Sequence, residues 1–289
     1  MGFSSQDDFI NEITNNGKWW RTDFMKSTAG TFAAGRWYDL SVFNGYPIAN
    51  TYAGTALTST IPTETSGWSM YHGGNVSTNT KHLVNISALG TTATAVPGVL
   101  MLVDICLYYP SISLNSATAQ TLTTTNPLTR YTDGVGLRPF LVTTTASGAT
   151  AHNVALSYTN QAGTAGKALG AAVACTASSI LGHLTHSGTA ANNFGPFLPL
   201  ASGDTGIRSV QSVTISAASG SGLGALVLAK PLATIPITTL GVMGERDLMN
   251  QLPSLPKIVD GACLSWLYFA GAATAAASGI TGAIECAWG

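Results

Sequence analysis

The sequence predicts an all-β protein of antiparallel strands, arranged as a β-sandwich or a barrel. Short runs rich in Val, Leu, Ile and Tyr are separated by segments of Gly, Thr, Ser and Asn, which is typical of strands joined by turns. No regular alternation of strands and helices is present, so an α/β sheet is disfavoured. The chain of 289 residues is long enough for one large β domain with a real core.

Two regions are predicted along the chain. Residues 1–34 form a short N-terminal helix and a docking arm, and residues 35–289 form one β-sandwich body. A subdivision of the body near residues 110–130 stays open, because Ser111–Thr125 is a polar stretch of low complexity that suits a linker or a long loop.

The first predicted element is an amphipathic helix that follows Ser4 and Ser5. A serine hydroxyl caps the N-terminal amides, and the neighbouring acids Asp7 and Asp8 favour the positive end of the helix dipole. Asn15–Gly17 predicts the end of the helix.

Four residues of the segment after the helix are predicted to be interface anchors, namely Trp19, Trp20, Arg21 and Phe24. Trp and Arg dominate the energetics of protein interfaces. The alternative is that the same aromatic side chains close one end of the sandwich and pin the helix onto the body.

The β body is expected to contain ten strands. Pro97–Tyr109 is the strongest candidate, because it is a long apolar run flanked by Pro and Gly. In chain order the ten predicted strands are Arg36–Phe43, Lys81–Ala88, Pro97–Tyr109, Arg138–Thr145, Val154–Tyr158, Ala168–Cys175, Ile207–Ser216, Ala225–Pro231, Ala262–Ala270 and Ile280–Trp288.

Three connecting segments carry their own predictions. The small residues of Ser216–Ala225 predict a flexible hairpin, and Glu245–Leu252 predicts a second short helix that ends at Pro253. Ala262–Ile284 is uncharged and long enough to span a bilayer. We reject a membrane helix there, because the stretch is rich in small residues and divides into two strand-like halves.

Charge is scarce in this chain. Lys, Arg, Asp and Glu make up 9% of the residues, against about a quarter in ordinary soluble domains. Between Pro139 and Gly203 the only such residue is Lys167. A lone soluble protein usually keeps more charge on its surface, so we expect other protein chains to cover much of this surface.

The net charge of −1 and the lack of a basic stripe argue against direct nucleic-acid binding.

The four cysteines have wide, irregular spacing and lie in apolar runs: Cys106, Cys175, Cys263 and Cys286. Buried free thiols are therefore expected. A bridge between Cys263 and Cys286, on neighbouring C-terminal strands, stays open as an alternative.

No motif in the chain predicts a catalytic residue, a cofactor or a metal ion. His183 and His186 are spaced i, i+3 without a third ligand nearby, so polar loop or interface histidines are favoured. His72 is expected in a turn, and Gly220–Gly224 precedes a strand-like segment and not the helix that a phosphate loop needs. The charges of Glu245–Asp247 indicate a helix cap and a salt bridge in preference to a glycosidase pair.

Several stretches resemble the virion proteins of tailed bacteriophages, and the resemblance runs through most of the chain. They are Gly17–Arg21, Arg36–Leu40, Tyr71–Val76, Ser157–Gly163 and Gly195–Leu200 through Arg208–Val210. None carries a known chemistry, so no site residue follows from the resemblance.

The resemblance implies a structural component of the virion, assembled in the host cytoplasm. The role it favours is that of a head decoration or cement protein with a jelly-roll-like β-sandwich. Its partners would be the major capsid protein or other virion proteins, together with copies of itself, with no membrane and no direct nucleic acid. A tail tube, tail fibre or adhesin component is the main alternative, and a virion-associated glycosidase is a more distant one.

Overall fold

Antiparallel β-strands make up nearly all the regular structure of the computed structural model, with 46% of residues in strands and 5% in helix. The predicted all-β class is therefore confirmed, whereas the jelly-roll connection stays a prediction. The structure describes residues 2–27, 31–91, 96–185, 195–250, 255–273 and 278–289. Within these ranges every pairing between named strands is antiparallel.

The described residues begin with an α-helix, and strands make up nearly all the elements that follow. In chain order they are α1 (Gln6–Thr14), β1 (Trp19–Ser27), β2 (Arg36–Asp39), a turn of 3-10 helix (Leu40–Val42), β3 (Gly45–Tyr46), β4 (Lys81–Gly90), β5 (Gly98–Ser113), β6 (Gln120–Thr121), β7 (Arg138–Thr145), β8 (His152–Asn160), β9 (Lys167–Ala168), β10 (Val173–Cys175), β11 (Ile207–Ile215), β12 (Leu223–Ile237), β13 (Gly244–Asp247), β14 (Lys257–Ile258), β15 (Leu264–Ala270) and β16 (Gly279–Trp288).

The strands form three sheets. The outer sheet has the order β13-β4-β16-β1-β3, with β14 also on β4; the middle sheet has the order β2-β15-β5-β12-β7; the third sheet has the order β10-β8-β11-β6, with β9 also on β8.

The middle sheet contributes to two separate cores. In β12, Val227 packs in the core that includes outer-sheet residues, whereas Leu226 and Leu228 pack in the core that includes third-sheet residues. Successive strand residues point to opposite faces, so a strand covered on both faces has apolar residues at consecutive positions. This burial on both faces explains the long apolar run of the predicted strand Pro97–Tyr109, which lies in β5 from Gly98 onward.

The N-terminal helix is present where it was predicted. Ser5 is its N-cap, and its hydroxyl accepts a hydrogen bond of 3.0 Å from the Asp8 N–H. The helix ends at Thr14 with Asn15 as C-cap.

The segment after the helix is not a separate arm. Trp19–Ser27 is a full strand of the outer sheet and pairs with β16 over its whole length, from Trp19 opposite Ala287 to Ser27 opposite Gly279. Residues 19–27 of the predicted arm therefore share a sheet with the C-terminal strand of the predicted body.

Two local predictions are wrong. Residues 245–247 of the expected second helix belong to β13, which pairs with β4, while residues 251 and 252 lie outside the described residues. Residues 216–225 do not make a hairpin, because β11 belongs to the third sheet and β12 to the middle sheet. In both cases long-range strand pairing overrides a local sequence signal.

The thiols are all free and buried, which confirms the first expectation for them. The alternative Cys263–Cys286 bridge is wrong. Cys263 directly precedes β15 of the middle sheet, and Cys286 lies in β16 of the outer sheet. Burial raises the pKa of Cys286 to about 12 and that of Cys175 also to about 12, as expected for inert structural thiols.

Candidate interaction surface

Several of the few charged side chains point into the protein. Lys26, Asp39, Lys81, Asp104 and Arg130 are all buried. Their burial leaves even fewer charged side chains on the surface of the protein.

Arg130 and Asp104 form a forked ion pair inside the body. Arg130 Nε lies 3.2 Å from one carboxylate oxygen of Asp104, and its Nη2 lies 3.0 Å from the other. The carboxylate also accepts the Cys263 N–H at 2.9 Å. The Arg130 guanidinium also donates to the carbonyl oxygens of Pro62 at 3.1 Å and Ile105 at 2.8 Å, so the buried pair is held by further protein groups.

Lys26 points from β1 into the protein and holds the loop that carries β3. Its ammonium donates to the carbonyl oxygens of Phe43 at 3.2 Å and Pro47 at 2.6 Å. Burial is the main cause that lowers the pKa of Lys26, to about 8. The loop is thus fixed beside β1 by a cation that contributes nothing to the surface.

Lys81 holds a second loop through His72. Its ammonium donates to the His72 carbonyl oxygen at 2.7 Å and to that of Gly74, and it lies 3.0 Å from His72 Nδ1. An ammonium group has no acceptor, so Nδ1 accepts and the ring proton is on Nε2. That nitrogen lies 3.2 Å from the Ala262 carbonyl oxygen and 3.1 Å from Glu64 Oε2. The sequence analysis predicted only a turn histidine here and missed this network.

The loop held by Lys81 supports Trp20. The rings of Trp20 and Tyr71 meet edge to face, with centroids 5.4 Å apart. The Trp20 indole N–H also donates to Thr22 Oγ1 at 2.9 Å. Trp20 is therefore fixed in place while 40% of it stays exposed.

The structure separates the four predicted anchors. Trp19, Trp20 and Arg21 are exposed on β1, as an interface requires. Phe24 is not available to a partner, because it is only 2% exposed and packs on Trp266 with ring centroids 5.1 Å apart. Phe24 points to the middle sheet, while the odd-numbered Trp19 and Arg21 point outward. Trp20 lies on the same face as Phe24 but near the start of the strand, where it stays exposed.

Further apolar side chains extend this exposed region. Met25, Tyr46 and Ile48 are 54%, 60% and 62% exposed. We call the edge surface the set Trp19, Trp20, Arg21, Asp23, Met25, Tyr46, Ile48 and Tyr71. Met25 was not among the predicted anchors. It continues the alternate positions Trp19, Arg21 and Asp23, so the strand alternation could have predicted that it is exposed on the same face.

A cavity of about 300 Å³ lies beside Trp19 and contains three carboxylates. Glu285 pairs with Arg21 at 3.1 Å, and Glu245 accepts a hydrogen bond of 2.8 Å from the Asn85 amide. Asp247 accepts from a following turn, chiefly from Asn250, which lowers its pKa. A general acid of a glycosidase needs a raised pKa, so the lowered one does not favour that role for Asp247.

The remaining motifs have structural settings. His183 is buried, with its Nδ1 2.9 Å from Ser179 Oγ, and His186 lies outside the described residues. Across the described ranges no cluster of three or more His, Cys, Asp or Glu side chains is arranged to bind a metal ion. No helix in the same ranges is both long and apolar enough to cross a membrane.

Comparisons with protein-family models, with curated proteins and with solved structures found no match for this chain. Function is therefore inferred from the edge surface, the charge distribution and the resemblance in the sequence.

Proposed function

We propose that this protein is a structural component of a bacteriophage virion, a head decoration protein that binds the capsid lattice and its own copies. Two observations together carry the proposal: the chain has few charged residues, and the edge surface holds a cluster of exposed apolar side chains. Exposed apolar clusters on soluble proteins mark sites of association.

The edge surface has the composition of an interface. Trp19 and Trp20 are each 40% exposed, and the Arg21 side chain is 45% exposed. Trp and Arg are the residue types most enriched at the energetic centres of interfaces. Trp20 is already held by Tyr71 and Thr22, so binding a partner would cost it little conformational entropy.

Imaging of labelled virions tests the location. Gold-labelled antibodies against this chain are expected to decorate the heads of phage particles in negative stain. Labelling confined to tails would replace the decoration role with the tail alternative, and unlabelled particles would overturn the virion assignment.

Particle loading tests the edge surface. Undecorated heads are mixed with the wild-type protein or with a Trp19→Ala/Trp20→Ala variant, and bound protein is quantified after sedimentation. We expect the variant to load at least about tenfold less, the effect of losing roughly 1.4 kcal/mol of binding free energy. Leu223→Ala is the matched control, since Leu223 is 39% exposed but lies on β12. Full loading of the double variant would show that the capsid binds elsewhere.

The cavity beside Trp19 keeps the glycosidase as a second candidate, because it places carboxylates next to an aromatic ring. A turbidity assay on host cell walls, with wild-type protein and a Glu245→Gln/Glu285→Gln variant, tests it. Clearing by the wild type and not by the variant would favour the enzyme.

A further inference from the structure

Strand β1 leaves most of one edge unpaired. β16 pairs with all of Trp19–Ser27, but on the opposite side β3 pairs only with Met25 and Lys26. No other named strand of the described residues pairs with β1. Residues 19–23 therefore form an open strand edge.

Two hydrogen bonds establish which backbone groups face this edge. The Lys18 carbonyl oxygen accepts the Trp288 N–H, on the β16 side, and the Ser27 N–H donates to the Asn44 carbonyl oxygen, on the β3 side. Backbone groups of successive residues in a strand alternate between the two sides. The N–H and C=O groups of the odd-numbered residues from 19 to 23 therefore point away from β16.

We propose that a second copy of this chain adds its own β1 to this edge, antiparallel, across a two-fold axis that passes between the two Trp20 residues. The outer sheets of the two copies then form one continuous sheet. This inference rests on the proposed assembly function, because it names the surface through which copies bind one another.

The axis position follows from the alternation, from β3 and from charge. Only axes at Trp20, Arg21 or Thr22 place more than one outward-facing residue of each copy opposite an outward-facing residue of the other within the open edge. An axis at Thr22 puts Trp19 of the second copy opposite Met25, where Tyr46 of β3 already lies. An axis at Arg21 places two guanidinium groups directly opposite, which is unfavourable. The axis at Trp20 meets neither obstacle.

The axis at Trp20 is also favourable for the side chains. Each Arg21 lies opposite Trp19 of the other copy on the outer face, which brings a cation beside an aromatic ring while Arg21 keeps Asp23 and Glu285 of its own copy as ion-pair partners. The two Trp20 rings face each other, beside the exposed rings of Tyr71. The pairs of Trp19 with Arg21 exchange four N–H···O hydrogen bonds, two in each pair.

The shared ladder is short, so the expected dimer is weak. A pair of strand edges of this length buries less surface than the roughly 800 Å² per partner of a stable complex. We expect a dissociation constant in the micromolar range in solution, strengthened when copies are held side by side on a particle.

Sedimentation velocity of the purified protein tests the pairing without phage particles. The wild type is expected to shift from monomer to dimer as its concentration rises to about 500 µM. Trp20→Glu should remain monomeric, because it places two like charges at the axis. Leu223→Glu, at a site of equal exposure, should dimerise like the wild type. A wild type that stays monomeric, or a Trp20→Glu protein that dimerises normally, overturns the proposal.

Cysteine cross-linking reads the register directly. Trp20→Cys should form a disulfide-linked dimer under mild oxidation, because directly opposite residues of the non-hydrogen-bonded kind have Cα atoms about 4.5 Å apart. Arg21→Cys and Thr22→Cys should stay unlinked, and the native thiols are buried and do not compete. Efficient linking of either of these two variants in place of Trp20→Cys would overturn the proposed axis.

Failure here is distinguishable from failure of the proposed function. A monomeric protein that decorates phage heads would keep the virion role and lose the β1 pairing. A dimeric protein that leaves particles unlabelled would do the reverse.

Discussion

His72 offers a sharp test of the network that supports the edge surface, through the variant His72→Gln. The ring is fully buried and neutral, with Nδ1 accepting from Lys81 and Nε2–H directed at the Ala262 carbonyl oxygen. Burial first, and then the charge of Lys81, lower the pKa of His72 from 6.5 to about 4. A glutamine reproduces one acceptor and one donor but does not titrate.

The sign and size of the effect follow from the two pKa values. Because the folded-state pKa lies below the unfolded one, the unfolded chain binds the proton more tightly. The contribution of His72 to stability is therefore complete above pH 6.5 and is lost as the pH falls towards 4. At about 1.4 kcal/mol per pH unit, this amounts to about 3 kcal/mol.

Urea unfolding of wild type and variant from about pH 7.5 to pH 4 measures this quantity. Glu64 beside the ring has a raised pKa through burial, which works in the opposite direction, so only the difference between the two proteins isolates His72. We expect the free energy of unfolding of the wild type to fall by about 3 kcal/mol more than that of the variant. Parallel curves over this range would refute the neutral, buried His72.

Two further substitutions test the buried charges. Asp104→Ala leaves Arg130 unpaired in the core and should lower the free energy of unfolding by about 4 kcal/mol, whereas the double change Asp104→Leu/Arg130→Met should recover most of that loss, as denaturant melts would show. Lys26→Met should cost about 2 kcal/mol by leaving loop carbonyls without their donor. It should also speed amide hydrogen exchange in residues 43–48 but not in β5, while the exposed Lys257→Met should change neither.

The strands that could be predicted are those whose pattern depends on burial alone. The predicted strand Arg138–Thr145 has the same bounds as β7. The predicted strand Pro97–Tyr109 begins one residue before β5. Both strands contribute to the two cores. Burial on both faces selects apolar residues at nearly every position, and this signal needs no knowledge of the partner strand.

The errors arise where a distant strand decides the outcome. Gly244–Asp247 has the charges of a helix start, but pairing with β4 makes it a strand. The exposed aromatic and charged residues of β1 predicted a docking arm. Its identity as a strand depends on pairing with β16, which is more than 250 residues away in the sequence. The same alternation explains why Trp19 and Arg21 are exposed and Phe24 is not, whereas Trp20 shares the face of Phe24 and is exposed near the start of the strand.

The two buried lysines connect the scarcity of charge with the open edge of β1. Lys26 fixes the loop containing β3, and β3 ends the open edge at Met25. Lys81 fixes the loop beside Tyr71, which seats Trp20. Burying a charged lysine costs free energy, and burial accordingly lowers the pKa of both Lys26 and Lys81. Both lysines hold loops that flank β1. Because these cations hold the flanking loops from inside, the edge is shaped without adding to the two exposed charges, Arg21 and Asp23, that a partner strand would meet.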